Sequence, residues 1–135
     1  MDEYLIAEFA GDGYASETTR EVIGAAIEVH KIIGPGLLES AYQACLAREL
    51  SLRHIPFTQQ VALPFLYKGS DVQVAYRADF IVRNKVVVEL KATDGITPLF
   101  EAQLMTYLRI TGLQLGLLIN FNVAALKNGI RRIIL

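Results

Sequence analysis

Two apolar runs separated by three residues constrain this chain more than anything else in it. Val72 to Val82 reads VQVAYRADFIV, Arg83-Asn84-Lys85 interrupts it, and Val86 to Ala92 reads VVVELKA. Runs of this length, joined by so short a polar turn, form an antiparallel hairpin. If the turn holds three residues, Val82 pairs with Val86, and counting outward sets Asp79 opposite Glu89 with Cβ atoms about 5 Å apart. Glu89 and Lys91 leave the strand on one face, while Val88 and Leu90 enter the core on the other. A turn one residue shorter puts Asp79 on the wrong face unless a bulge restores it. Opposed carboxylates repel one another unless a cation or a shared proton intervenes.

The rest of the chain is organised around that hairpin. Residues 1–13, ending in Gly11-Asp12-Gly13, read as a loosely held tail. A helix is predicted from Thr18, where Thr18-x-x-Glu21 fits a capping box, with Ile23, Ala26, Ile27, His30 and Ile33 on one apolar face. Gly34-Pro35-Gly36 stops it. A second helix runs from Leu38 to Leu52, with Leu38, Tyr42, Cys45 and Leu46 on its apolar side. A strand from Phe57 ends at Lys68-Gly69-Ser70, and the hairpin follows. Thr97-Pro98 opens a third helix, with a capping threonine and a proline at the first helical position, which closes at Gly112. LQLGLLINF reads as a buried strand, Lys127-Asn128-Gly129 as a turn and IRRIIL as a last strand, which could cover a sheet edge or make a dimer contact.

The order α-α-β-β-β-α-β-β predicts an α/β fold, a central mixed sheet flanked by helices in a single domain over 1–135. With 135 residues, 53% of them hydrophobic, the chain can bury a real core. Thirteen basic against fourteen acidic residues give a net charge of −1, so any nucleic-acid role must come from a local site. A single cysteine, Cys45, excludes an intramolecular disulfide and a cysteine-based metal cage. The start lacks a basic region followed by a long apolar run, and no stretch is apolar enough to span a membrane. The expectation is a soluble, cytoplasmic protein with no membrane partner.

Asp79 and Glu89 are oxygen ligands of the kind that suits Mg²⁺ or Mn²⁺, and Lys91 beside them can orient a water or stabilise charge on a phosphate. An exposed face carrying an ordinary Glu–Lys pair fits the same spacing. Glu39 and Tyr42, three apart, share a helical face, as do Gln103 and Tyr107, four apart. Glu39 in a first helical turn is also what a helix dipole favours. His30 on an apolar stripe reads as a core histidine. Arg77 and Arg83, with Lys31 and Lys68, are candidates for phosphate contacts, and Tyr76 is either a stacking platform for a base or a core aromatic.

Asp79, then Glu89-x-Lys91, then Gln103-x-x-x-Tyr107 on the following helix resembles the PD-(D/E)XK nuclease superfamily, and within it the RecB-like branch. Gly36-Leu37-Leu38-Glu39-Ser40-Ala41-Tyr42 resembles the signature of its GxxExxY family. The resemblance extends from about residue 18 to the end. One departure is Ala78 where the superfamily's name has proline. The resemblance implies a restriction-endonuclease-like core and a Mg²⁺- or Mn²⁺-dependent nuclease acting on nucleic acid, DNA before RNA. It implies that Asp79 and Glu89 hold the metal, with the Leu90 carbonyl and Glu39 completing the site. Lys91 would position the attacking water and steady the phosphate. Gln103 and Tyr107 would contact the substrate, with Arg77 beside them. Specificity would then fall to a second copy of the chain or to a protein partner. The competing expectation is a binding or assembly module that keeps the fold and turns over little or nothing.

Overall fold

The computed structural model describes residues 2–135. Helices α1 (Asp2–Ala10), α2 (Ser16–Ile33) and α3 (Glu39–Leu52) come first. Strands β1 (Phe57–Tyr67), β2 (Ser70–Val82) and β3 (Val86–Lys91) follow, then α4 (Pro98–Thr111), β4 (Leu115–Asn120) and β5 (Ile130–Ile134), the last two joined through a 3-10 turn. The strands form one five-stranded sheet in the order β1-β2-β3-β4-β5. All neighbours are antiparallel except β3 and β4, which run parallel because α4 carries the chain from one end of the sheet back to the other. This is the mixed, helix-flanked sheet that the element order predicts.

The sheet is covered on both faces, and the sequence shows it. All six residues of β4, LGLLIN, are buried, as a central strand with helices above and below requires. On one face Phe80, Val82, Val86, Val88, Leu90, Leu117 and Ile119 pack against α2 and α3. On the other, Ile81, Val87 and Leu118 pack against Leu104, Tyr107 and Leu108 of α4. Helix α4 lies close to the sheet because β4 carries Gly116 under it. A Cβ there would come within 3.0 Å of the Leu104 side chain. Thr97 caps α4, its Oγ1 accepting from the Phe100 N–H at 3.3 Å, and Gly112 ends it in the left-handed region.

Three expectations need correction. Residues 2–10, read as part of a loose tail, form helix α1, whose Leu5, Ile6 and Phe9 pack on the α2/α3-side core and whose Ala10 is fully buried. Helix α2 begins at Ser16 rather than Thr18, and no capping box forms. Ala15 takes the left-handed conformation, Thr19 Oγ1 donates to the Ala15 carbonyl at 2.9 Å, and Glu21 is engaged by Arg83 instead. Leu38 stands at the start of α3 and is 77% exposed, so it does not join the apolar side of that helix.

Candidate active site

The register of the central hairpin comes from its turn. Arg83-Asn84-Lys85 leaves Val82 opposite Val86, Ile81 opposite Val87 and Phe80 opposite Val88. One pair farther out, where Asp79 would face Glu89, the β2–β3 ladder stops, while β3 continues beside β4 to Lys91. The sheet forks there, and the two carboxylates fill the fork. The Asp79 N–H donates to Glu89 Oε1 at 2.7 Å, and the Leu90 N–H donates to Asp79 Oδ2 at 2.8 Å. Side-chain oxygens thus accept from two main-chain amides at the point where strand pairing ends, which leaves neither amide unsatisfied in a buried place.

Strand β1 is distorted at the same level. Gln59 pairs with Phe80 and Val61 with Ala78, but Gln60, across from Asp79, sits at φ 50°. Left-handed backbone in a non-glycine strand residue is a local kink of the kind found beside functional sites. Its effect shows in β2. Ala78 and Ile81, three apart, both pack on the α4 side, whereas a regular strand would send them to opposite faces.

Helix α3 adds two side chains. Gln43 donates from Nε2 to Asp79 Oδ1 at 3.1 Å, and its Oε1 accepts from Gln60 Nε2 at 2.7 Å. Glu39, one turn earlier and half-buried, feels the charges of both Asp79 and Lys91. Tyr42 sets where that helix begins. Its ring is fully buried and stacked on Phe121 at 4.6 Å between centroids. Its hydroxyl donates to the Gly34 carbonyl at 2.6 Å and accepts from the Leu37 N–H at 3.2 Å. Gly36, at φ 97°, makes the bend possible. The spacing Gly36…Glu39…Tyr42 is therefore a turn, an acid and a latch, and the tyrosine holds the loop that presents the acid.

From the other side come Lys91 and α4. The Lys91 ammonium lies 4.5 Å from the centroid of the Phe100 ring and makes no ion pair among the described residues. Gln103 is half-buried, and Tyr107 is buried beside it, its ring 5.9 Å from that of Tyr76. Among the sequence candidates, then, Glu39, Asp79, Glu89, Lys91, Gln103 and Tyr107 come together around the fork, with Leu90 contributing its amide.

Arg77 does not join them; it is exposed on β2 opposite Ala62. Arg83 is held by Glu21 in a two-pronged ion pair at 2.7 and 2.8 Å, and Lys31 pairs with Asp2 of α1. Lys68 lies over the Tyr67 ring at the far end of the β1–β2 hairpin. His30 donates from Nε2 to the Val123 carbonyl at 2.8 Å and is a packing residue. Gln43 and Gln60 escaped the sequence reading. The one signal for Gln43 is its position four residues after Glu39, on the same helical face; nothing in the sequence marks Gln60.

The electrostatics of the fork are unbalanced. Asp79 and Glu89 are 9% and 6% exposed. Burial, and then the charge of Asp79, push Glu89 up to about 8. Burial also raises Asp79, against the pull of the Leu90 amide and of Lys91. Glu39 is raised by burial and by Asp79. Tyr107 is pushed up to about 12 by burial and by Glu89 and Asp79, so it stays a neutral donor. A site whose carboxyls all resist ionisation is short of positive charge, which a divalent cation would supply. Among the described residues no three acids, histidines or cysteines are already arranged to hold a metal ion. The fork offers two anchored carboxylates, with Glu39 as a flanking third.

A family model described as the PD-(D/E)XK nuclease superfamily matches residues 16–133. A crystal structure of SSO0001 superposes with a TM-score of 0.52 at 18% sequence identity, covering 99% of this chain and 77% of that one; the likeness is one of fold. No curated protein matches the sequence.

Proposed function

Because the chain belongs to the PD-(D/E)XK nuclease superfamily, we propose that it is a metal-dependent nuclease whose centre is the fork between β2 and β3. One observation carries this reading. Asp79 and Glu89 are buried together and anchored by main-chain amides, and among the described residues neither is ion-paired, Lys91 alone lending its charge from nearby. Buried like charges persist in a fold at a cost of stability, which a bound cation offsets.

In this reading Asp79 and Glu89 hold Mg²⁺ or Mn²⁺, with Glu39 and the Leu90 carbonyl as further oxygen donors. A divalent ion held there supplies Lewis-acid charge to a phosphodiester and lowers the pKa of an attacking water. The protein's own groups do the rest. Lys91, which makes no ion pair among the described residues, donates to a phosphate oxygen as negative charge develops in the transition state. Tyr107 offers a neutral hydroxyl, and Gln103 an amide, to the nucleic-acid backbone. Gln43 and Gln60 fix the orientation of Asp79, as outer hydrogen-bond partners do for metal ligands. Water adds to phosphorus and the bond to one ester oxygen breaks, which takes up a proton.

The Gly36…Glu39…Tyr42 segment resembles the GxxExxY signature, and that likeness supports reading the chain as one of those proteins within the RecB-like branch. DNA before RNA as substrate, and a cytoplasmic location, rest on that resemblance; among the described residues no helix is long and apolar enough to cross a membrane. Specificity would come from a second copy or a protein partner. The second reading is a nucleic-acid-binding module of the same fold with little turnover.

Titration calorimetry with Mg²⁺ and Mn²⁺, on the wild type and on the Asp79→Asn, Glu89→Gln double variant, tests the site. A cleavage assay on DNA and RNA runs beside it. Binding and cleavage that both vanish in the variant establish the nuclease. Metal binding without cleavage supports the module, and a wild type that binds neither ion overturns the metal site.

A further inference from the structure

We propose that the cleft between β2 and α4 is a base pocket, which takes the nucleobase next to the scissile phosphate out of its stack and so directs the enzyme to single-stranded or unpaired nucleic acid. The proposal rests on the nuclease reading and adds to it the form of the substrate.

The cleft has a volume of about 350 Å³ and is lined by Tyr76, Leu99, Phe100, Ala102, Gln103 and Thr106. That is the low end of the range for small-molecule sites, room for one heterocycle and not for a duplex. No acid, lysine or arginine lines it, so it is not built for a phosphate. Its walls are aromatic and aliphatic, and its polar side-chain groups are the Gln103 amide and the hydroxyls of Thr106 and Tyr76. Thr106 already donates to the Ala102 carbonyl at 3.1 Å, which leaves its oxygen free to accept. A flat group with apolar faces and a polar edge fits that chemistry, and a nucleobase is such a group.

The cleft borders the fork through residues that face both. Gln103 belongs to both. Phe100 lends its ring to the pocket and also lies 4.5 Å from the Lys91 ammonium. Tyr76 stands 5.9 Å from Tyr107, whose hydroxyl feels Glu89 and Asp79, and it is held from behind by Phe65 in an edge contact at 6.0 Å. A base in the cleft is thus next to a phosphate at the fork. Leu99, 74% exposed at the rim, is placed to fill the gap a displaced base leaves.

Overall charge points the same way. A chain of net charge −1 gains little from general phosphate attraction, so stacking must supply affinity. A base within a duplex hides its faces against its neighbours, and extracting it costs pairing as well as stacking.

The full chain is tested on a fluorescein-labelled 12-nucleotide single strand, on the same strand with one abasic position moved along it, and on the duplex. In Mn²⁺, cleavage at the bond beside the abasic position is expected to fall about 10-fold while other bonds are unaffected, and the duplex to be cut at least about 10-fold more slowly. Tyr76→Leu should abolish the discrimination, and Tyr76→Phe, which keeps the ring, should retain it. Fluorescence anisotropy without metal gives a second arm. The intact strand should bind about 10-fold tighter than one carrying three abasic positions. Cleavage indifferent to both the missing base and the duplex overturns the pocket and leaves the nuclease standing. Discrimination in binding with no cleavage supports the pocket and overturns the nuclease. Neither cleavage nor discrimination overturns both.

Discussion

Asp79 and Glu89 are joined through the main chain: the amide of the first donates to the carboxylate of the second at 2.7 Å, at the place where their strands stop pairing. The contact fixes both acids without neutralising either, and the chemistry of the site follows from that imbalance.

Stability should depend on pH in an unusual direction. Glu89 lies near 4.5 when unfolded and about 8 when folded, so in that window the folded chain retains a proton that the unfolded chain has lost. The stability contributed is fully present below about 4.5 and is lost as pH rises through about 8. The raised Asp79 acts in the same direction. Calorimetric Tm of the metal-free protein should therefore fall between about pH 6 and pH 9, and Mn²⁺ should raise Tm far more at about pH 8 than at about pH 5. A Tm that climbs through this window without metal would refute the assignment.

Glu89→Gln should stabilise the metal-free protein and inactivate it. The amide oxygen can still accept from the Asp79 N–H, and the charge that burial penalises is gone. At about pH 8 we expect Tm to rise by about 3 °C or more, with loss of metal binding in calorimetry. An unchanged metal affinity would show that Glu89 is not a ligand.

Gln43→Leu separates positioning from ligation. The substitution removes the donor to Asp79 Oδ1 and the partner of Gln60 without touching either carboxylate. Metal affinity should drop about 10-fold to 100-fold with the fold intact, read by calorimetry and far-UV circular dichroism.

Tyr42→Phe tests the latch. The ring keeps its stack on Phe121, but the bonds to the Gly34 carbonyl and Leu37 N–H are lost. Urea denaturation should show a loss of about 1–2 kcal/mol. Turnover should fall through misplacement of Glu39, although Tyr42 touches no part of the fork.

Deleting residues 1–13 should destabilise the protein by about 3 kcal/mol, since Leu5, Ile6 and Phe9 each bury part of an apolar side chain on the core. A denaturation midpoint unmoved by the deletion would show that α1 does not contribute to folding stability.

The hairpin register was legible because a three-residue turn leaves one pairing that keeps Phe80, Val82 and Val88 on a single face. Helix α4 was legible because Thr97-Pro98 and Gly112 act locally. Helix α1 was not, since nine residues form a helix only when packing holds them. The Arg83–Glu21 pair, 62 residues apart in the chain, engages both the acid of the expected capping box and one of the candidate phosphate contacts, and so distant a partner leaves no local mark in the sequence. Among the side chains at the fork, the charged ones stand out from an apolar background. Gln43 and Gln60 do not, because an uncharged amide is ordinary anywhere on a helix or strand.

The fork also makes the backbone a reporter. The amides of Asp79 and Leu90 are protected by carboxylate oxygens rather than by a neighbouring strand. Their exchange with deuterium and their nitrogen chemical shifts should track the ionisation and occupancy of the centre directly. Two peaks in a heteronuclear spectrum would then read the state of the site with no substrate, label or added chromophore.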